Sequence, residues 1–203
     1  MKRYRRAALA LCLSAAAGLA SGQAADESPV QVAQGLCDAL IASMKSGAAA
    51  GFAARKSALE PEIRRAINLP LMTRIVVGPP WRSLTPEQQQ DLTAAFSDFS
   101  ISTYANQFSG YSGQSFAVDP KATPQASGDV IVRTTLKTGD PEPVKLDYLM
   151  RQISGEWKII DVYLNGTISQ LAARRSEFGS VLRNSGPSAL IEMLKKKSAE
   201  LSS

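Results

Sequence analysis

Residues 157–178 read WKIIDVYLNGTISQLAARRSEF, and the order of their signals decides the fold. Residues 157–164 are an apolar, β-branched and aromatic run of strand length. Asn165-Gly166 is a turn pair that ends it. Thr167 then stands three residues before Gln170, the reciprocal capping-box spacing, which predicts a helix starting at Thr167. Strand, turn and capped helix follow one another with no catalytic pattern among them.

Working upstream, the same period-2 signal recurs. Val130, Val132, Thr134 and Leu136 alternate with Ile131, Arg133, Thr135 and Lys137, and Val144, Leu146, Tyr148 and Met150 alternate with Lys145, Asp147 and Arg151. Residues 138–141 (TGDP) and Ser154-Gly155 supply the turns, and residues 114–118 offer a further strand. Consecutive strands with short turns predict an antiparallel meander rather than βαβ units.

Helices flank this sheet. Ser28-Pro29-Val30-Gln31 predicts a start with serine as N-cap, proline at the first position and glutamine at the third. Its apolar stripe is Val32, Ala33, Leu36, Cys37, Leu40, Ile41 and Met44, ending at Gly47. Residues 48–67 predict a shorter helix that Pro61 interrupts or restarts. Residues 69–78 fit helix or strand and are read as a helix ending at Gly78-Pro79-Pro80. Thr85-Pro86-Glu87-Gln88 repeats the capping signature and opens a helix to about Phe108, with Leu92, Phe96, Phe99 and Thr103 on its buried side. After the last strand, Ile168, Leu171, Phe178 and Leu182 form one helix face. Gly186-Pro187 separates a final helix with Leu190, Ile191, Leu194 and Leu201 inward. The fold class is α+β in one domain.

The N-terminus bears on compartment. Lys2, Arg3, Arg5 and Arg6 precede an apolar stretch at residues 7–20, and Gly22-Gln23-Ala24 places small residues where a signal peptidase reads. Residues 1–25 therefore read as a signal peptide, and 26–203 as one exported domain. The apolar stretch is shorter than the roughly 20 residues of a membrane span; a retained anchor is the alternative. Cys12 lies mid-stretch, too early for a lipoprotein acceptor.

Export changes the charge. The chain has 23 Lys+Arg and 18 Asp+Glu; removing the four basic residues of the leader leaves 19 against 18. A near-neutral protein has no electrostatic footprint for nucleic acid. Cys37 becomes the only cysteine, so no intramolecular disulfide can form, and its place on the apolar stripe predicts a buried, inert thiol. There is no histidine. The commonest general base, the Ser-His-Asp and Cys-His constellations and most zinc sites are excluded with it.

Several segments resemble, in order and spacing, the MlaC family of periplasmic phospholipid-transport proteins, also described as toluene-tolerance auxiliary components of an ABC transporter. They are residues 78–81, Leu84-Thr85-Pro86-Glu87-Gln88, Phe96, Tyr104-Ala105 and Asp161-Val162-Tyr163-Leu164-Asn165-Gly166, then Arg175-Ser176-Glu177-Phe178, Gly186 and Leu190-Ile191. The wording of residues 165–178 is most similar to the hopanoid-associated, HpnM-like branch. The resemblance implies an NTF2-like curved antiparallel sheet wrapped by helices around an apolar cavity for acyl chains. It implies no catalytic residue, no cofactor and no metal. The implied partners are phospholipid or hopanoid-type lipid and an inner-membrane ABC transporter complex with its substrate-binding component. An outer-membrane lipoprotein complex is a further one, and nucleic acid is not.

On that resemblance the lipid-contacting residues are Phe96, Phe99, Tyr104 and Phe108 on one helix, Leu146, Tyr148 and Met150 on one strand, and Ile160, Val162 and Leu164 on the next. A filled core would use the same residues. Two other readings stay open: an NTF2-like enzyme with Asp147 or Asp161 as base, and a module that binds transporter subunits without enclosing lipid. Asp147 alternates outward from Leu146 and Tyr148, which predicts a solvated or ion-paired carboxylate. Arg174-Arg175 could meet headgroups, but Glu177 beside them points first to a solvated helix face. Residues 195–197 (KKK) read as helix-end charges.

Overall fold

Three helices open the computed structural model, which describes residues 27–202; the expected signal peptide lies outside them. Helix α1 (Pro29–Ser46) starts on a complete capping box. Gln31 N–H donates to the Ser28 hydroxyl at 3.2 Å, and Ser28 N–H donates to the Gln31 side chain at 2.8 Å. Helix α2 (Gly51–Ala66) runs through Pro61 without the expected interruption. Proline removes the bond to the Ser57 carbonyl, but Ser57 and Pro61 are both exposed, so water can take it. Helix α3 (Leu69–Val77) settles the ambiguous apolar run: Asn68 caps it by accepting Leu71 N–H at 2.9 Å. Helix α4 (Pro86–Gln107) opens on the second capping box, Thr85 with Gln88.

The sheet follows: β1 (Ser115–Val118), β2 (Thr123–Pro124), β3 (Val130–Val132), β4 (Thr134–Lys137), β5 (Val144–Ile153), β6 (Glu156–Leu164) and β7 (Ile168–Ser169). Every pairing between these strands is antiparallel, as the turn spacing predicts. β3 and β4 are two halves of one expected strand, broken at Arg133, and both pair with β5 (Val132 opposite Tyr148, Leu136 opposite Val144). β1 and β2 lie outside them, β6 pairs the other edge of β5, and the sheet is open.

A bulge interrupts the long β5–β6 ladder. Leu149 faces Asp161 while Met150 faces Ile159, which leaves Ile160 without an opposite number. One extra residue reverses the alternation. Ile159 therefore enters the core, fully buried and bridged to Ile67, and Ile160 leaves the face it was expected to share with Val162 and Leu164.

Helix α5 (Gln170–Glu200) starts later than the Thr167 expectation. Asn165 and Gly166 both take positive φ (52° and 75°), a region these two residue types tolerate best. The chain then pairs back, Ile168 opposite Leu164 and Ser169 opposite Tyr163. Ser169, not Thr167, is the N-cap, accepting Ala172 N–H at 2.9 Å. Ile168 is consequently a strand residue, 53% exposed, rather than part of the helix's apolar face. Gly186 (φ 81°, ψ 179°) breaks α5 before Pro187, so two helical segments close the chain as expected.

One core joins Leu36 and Leu40 of α1, Leu59 and Ile63 of α2, Leu92 and Ile101 of α4, Tyr148 and Met150 of β5, and Phe178 and Leu190 of α5. Cys37 is fully buried within it, and burial pushes its thiol up to about 12, an inert position.

Candidate functional site

Helices α3 and α4, the first two turns of α5 and one face of β5–β6 leave a cavity of about 220 Å³ between them. Its apolar wall combines Phe96, Phe99, Tyr104 and Phe108 of α4 and its C-cap with Leu146, Tyr148, Val162 and Leu164 of the strands. Ile67, Leu69, Met72 and Leu171 complete it. Those first eight are expected residues that the fold brings together. Met150 is fully buried in the core, and Ile160 sits at the bulge; neither lines the cavity.

Aromatic packing stiffens this wall. Phe178 stands edge-on to Phe96 and Phe99, with centroids 6.4 and 6.1 Å away, and Tyr104 stacks on Phe108 at 6.0 Å. Burial, the largest cause, drives the phenols of Tyr104 and Tyr148 above their ordinary range, so both stay neutral at physiological pH.

Five polar residues complete the lining: Ser100, Thr103, Gln107, Gln170 and Arg174. The hydroxyls of Ser100 and Thr103 donate back to the Phe96 and Phe99 carbonyls, each at 2.8 Å. Their protons are thus spent within the helix, and an apolar guest does not strand these two donors. Arg174 is the one charged lining residue. Its guanidinium lies 4.8 Å from the Phe99 centroid and 5.9 Å from that of Phe178, and its side chain is 33% exposed. Glu177 approaches it at 3.4 Å. The helix face expected to be merely solvated therefore supplies a cation to the cavity.

Neither candidate base reaches this space. Asp161 caps α5: its Oδ1 accepts Leu171 N–H at 3.0 Å and Val162 N–H at 2.7 Å, and its Oδ2 accepts the Ser169 hydroxyl at 2.5 Å. Asp147, expected to be solvated or ion-paired, is only 9% exposed and has no hydrogen bond or ion pair among the described residues. The Asn165–Gly166 turn folds over it, with Oδ2 3.7 Å from where a Cβ on Gly166 would stand. Both carboxylates lie outside the cavity lining.

Sequence reasoning missed Leu69 and Met72, because residues 69–78 gave no clear periodicity, and Ile67, which follows directly on helix α2. It placed Thr103 on the buried side of α4 but missed the polar Ser100 and Gln107 there. Ser100, Thr103 and Gln107 follow Phe96 and Phe99 at helical spacing, and polar residues on an otherwise aromatic helix face are the signal that could have found them.

Volume bounds the guest. About 220 Å³ exceeds the roughly 150 Å³ that holds a benzene-sized apolar molecule and falls below the roughly 300–1,000 Å³ of drug-sized sites. Fold and cavity together define an α+β protein with a mostly apolar internal site and one cation in its lining. The family model described as MlaC protein matches residues 34–196, and the chain belongs to that family. It is similar to the toluene tolerance protein Ttg2D of Pseudomonas putida, 33% identical over 107 residues, which are 52% of this chain and 48% of that protein. The chain thus spans about half the length of the curated relative it matches. Its fold is similar to that of a phospholipid-binding protein from Ralstonia solanacearum, solved in complex with a phospholipid. The TM-score is 0.75 at 24% identity, covering 87% of this chain and all of the other. No helix among the described residues is long and apolar enough to cross a membrane.

Proposed function

We propose that this protein is a periplasmic lipid carrier that binds one phospholipid-type molecule without a catalytic step. Part of an acyl tail occupies the cavity, and the headgroup side of the molecule faces Gln107, Gln170 and Arg174. The observation that carries this reading is the aromatic and aliphatic cavity wall with a single cation in its lining. Each methylene moved from water to such a wall gains about 0.8 kcal/mol, enough to hold a chain without any acid, base or metal. Family membership, the phospholipid held by the Ralstonia structure and the leader-like residues 1–25 support it.

The finer version places the carrier between an outer-membrane complex and an inner-membrane ABC transporter with its substrate-binding component; the family supports this. A hopanoid-type lipid is the competing ligand. It rests on the wording of residues 165–178, of which Gln170, Leu171 and Arg174 line the cavity.

Organic extraction and mass spectrometry of protein purified from its native envelope tests the reading and names the lipid. Wild type should yield stoichiometric lipid, and Val162→Trp, which fills the cavity, should yield none while remaining folded. A folded wild type without lipid would overturn the carrier reading.

A further inference from the structure

A second cleft, of about 610 Å³, lies on the other face of α3 and has three arginines in its lining. The cavity takes Leu69 and Met72 from α3, and this cleft takes Leu71, Arg74 and Ile75, with Trp81, Arg82 and Arg151 beside them. No carboxylate lines it. Arg74 and Arg82 are exposed and have no ion pair among the described residues. Arg151 gives its Nε and Nη2 to Asp129 at 2.7 and 2.8 Å, which leaves Nη1 open.

A fourth arginine stands behind the turn. A Cβ on Gly78 would come within 3.2 Å of Arg175 Nη2, so the bare backbone there, at φ 71°, is what admits the guanidinium. Against four arginines the carboxylate paired with them is Asp129. Positive charge is thus concentrated around residues 78–82.

We propose that this cleft docks the protein on an anionic, phosphate-bearing lipid surface. Guanidinium forks match phosphate oxygens. Half-buried Trp81 has an amphipathic ring suited to a bilayer boundary, and Leu71 and Ile75 give the cleft an apolar floor inside its cationic margin. Helix α5 joins the two sites, since Arg174 lines the cavity and the next residue reaches Gly78. A carrier docked here would hold its lipid site one helix away from the membrane contact, but the docking does not depend on what fills the cavity.

The test is cosedimentation of the mature chain with vesicles of phosphatidylcholine alone and of phosphatidylcholine mixed with phosphatidylglycerol. Binding should require phosphatidylglycerol and weaken as salt is added. Arg74→Gln with Arg82→Gln should lower the partition coefficient roughly thirtyfold, about a factor of five per charge. Both side chains are exposed, and circular dichroism checks the fold. In a Trp157→Phe background, where Trp81 is the one tryptophan left, bromine-labelled lipid should quench its fluorescence. Equal binding to both vesicles, an unaffected double variant or an unquenched Trp81 would overturn the proposal. So would wild type that ignores vesicles yet binds an acidic polypeptide such as polyglutamate, which would assign the cleft to a protein partner.

Discussion

The guanidinium carbon of Arg174 lies 4.8 Å from the centroid of the Phe99 ring, so the single cation of the cavity lining is seated on its aromatic wall. Arg174→Ala should cost about 0.5–1 kcal/mol of stability, the worth of a partly exposed cation–π contact. Retention of lipids with an anionic headgroup should fall more than that of uncharged ones, and Arg174→Lys should keep part of the difference. Thermal unfolding and quantified lipid extracts read both effects.

Asp161→Ala removes three hydrogen bonds and strands the buried Leu171 N–H, so it should destabilise by about 2–4 kcal/mol. Asp161→Asn keeps an acceptor at Oδ1 and should lose about half as much. Urea unfolding midpoints compare the two; an unshifted alanine variant would show that the cap does not hold α5.

Acid stability should depend on Asp129. Its hydrogen bonds from Arg151 hold the carboxyl below its usual value, although burial opposes them. The folded pKa is the lower one. The stabilisation is therefore complete above the unfolded value of about 3.9 and is lost as pH falls through the folded value. Asp129→Asn should remove this part of the acid limb in urea titrations carried from neutral to acid pH.

Cys37 should resist thiol reagents in the native protein at pH 8 and react once denaturant exposes it. Burial, stronger than the hydrogen bond with Tyr148, pushes its folded pKa up to about 12. Because the folded value is raised, its contribution is whole below the unfolded value of about 8.5 and declines as pH climbs toward 12. Rapid labelling of folded protein would contradict the burial.

Most elements were legible because their causes are local. The capping boxes at Ser28–Gln31 and Thr85–Gln88 span three residues each, and both formed. The same spacing at Thr167–Gln170 did not form a cap. There the hairpin pairing of Ile168 and Ser169 with β6 and the Asp161 carboxylate, eight residues before Ser169, moved the helix start to Gln170. A local signal lost to partners that sequence spacing does not bring near. The site divided likewise. Periodicity placed Phe96, Phe99, Leu146, Tyr148 and Val162 on inward faces and only the family resemblance suggested a cavity beside them, whereas Ile160 was misplaced because a bulge leaves no mark in the alternation of apolar residues.

By itself the sequence determined the α+β order of elements, the antiparallel meander, the lack of histidine chemistry and the resemblance to one family. Each rests on neighbours within a few positions or on composition. Only the tertiary structure decided that the aromatic faces leave a cavity instead of closing into a filled core, and that Arg174 joins it. It alone gathered Arg74, Arg82, Arg151 and Arg175, from three helical segments and a strand, around one cleft and its turn. Cavities and charge clusters are made by packing between distant segments, and the volume left over by packing is not a property of any stretch of chain.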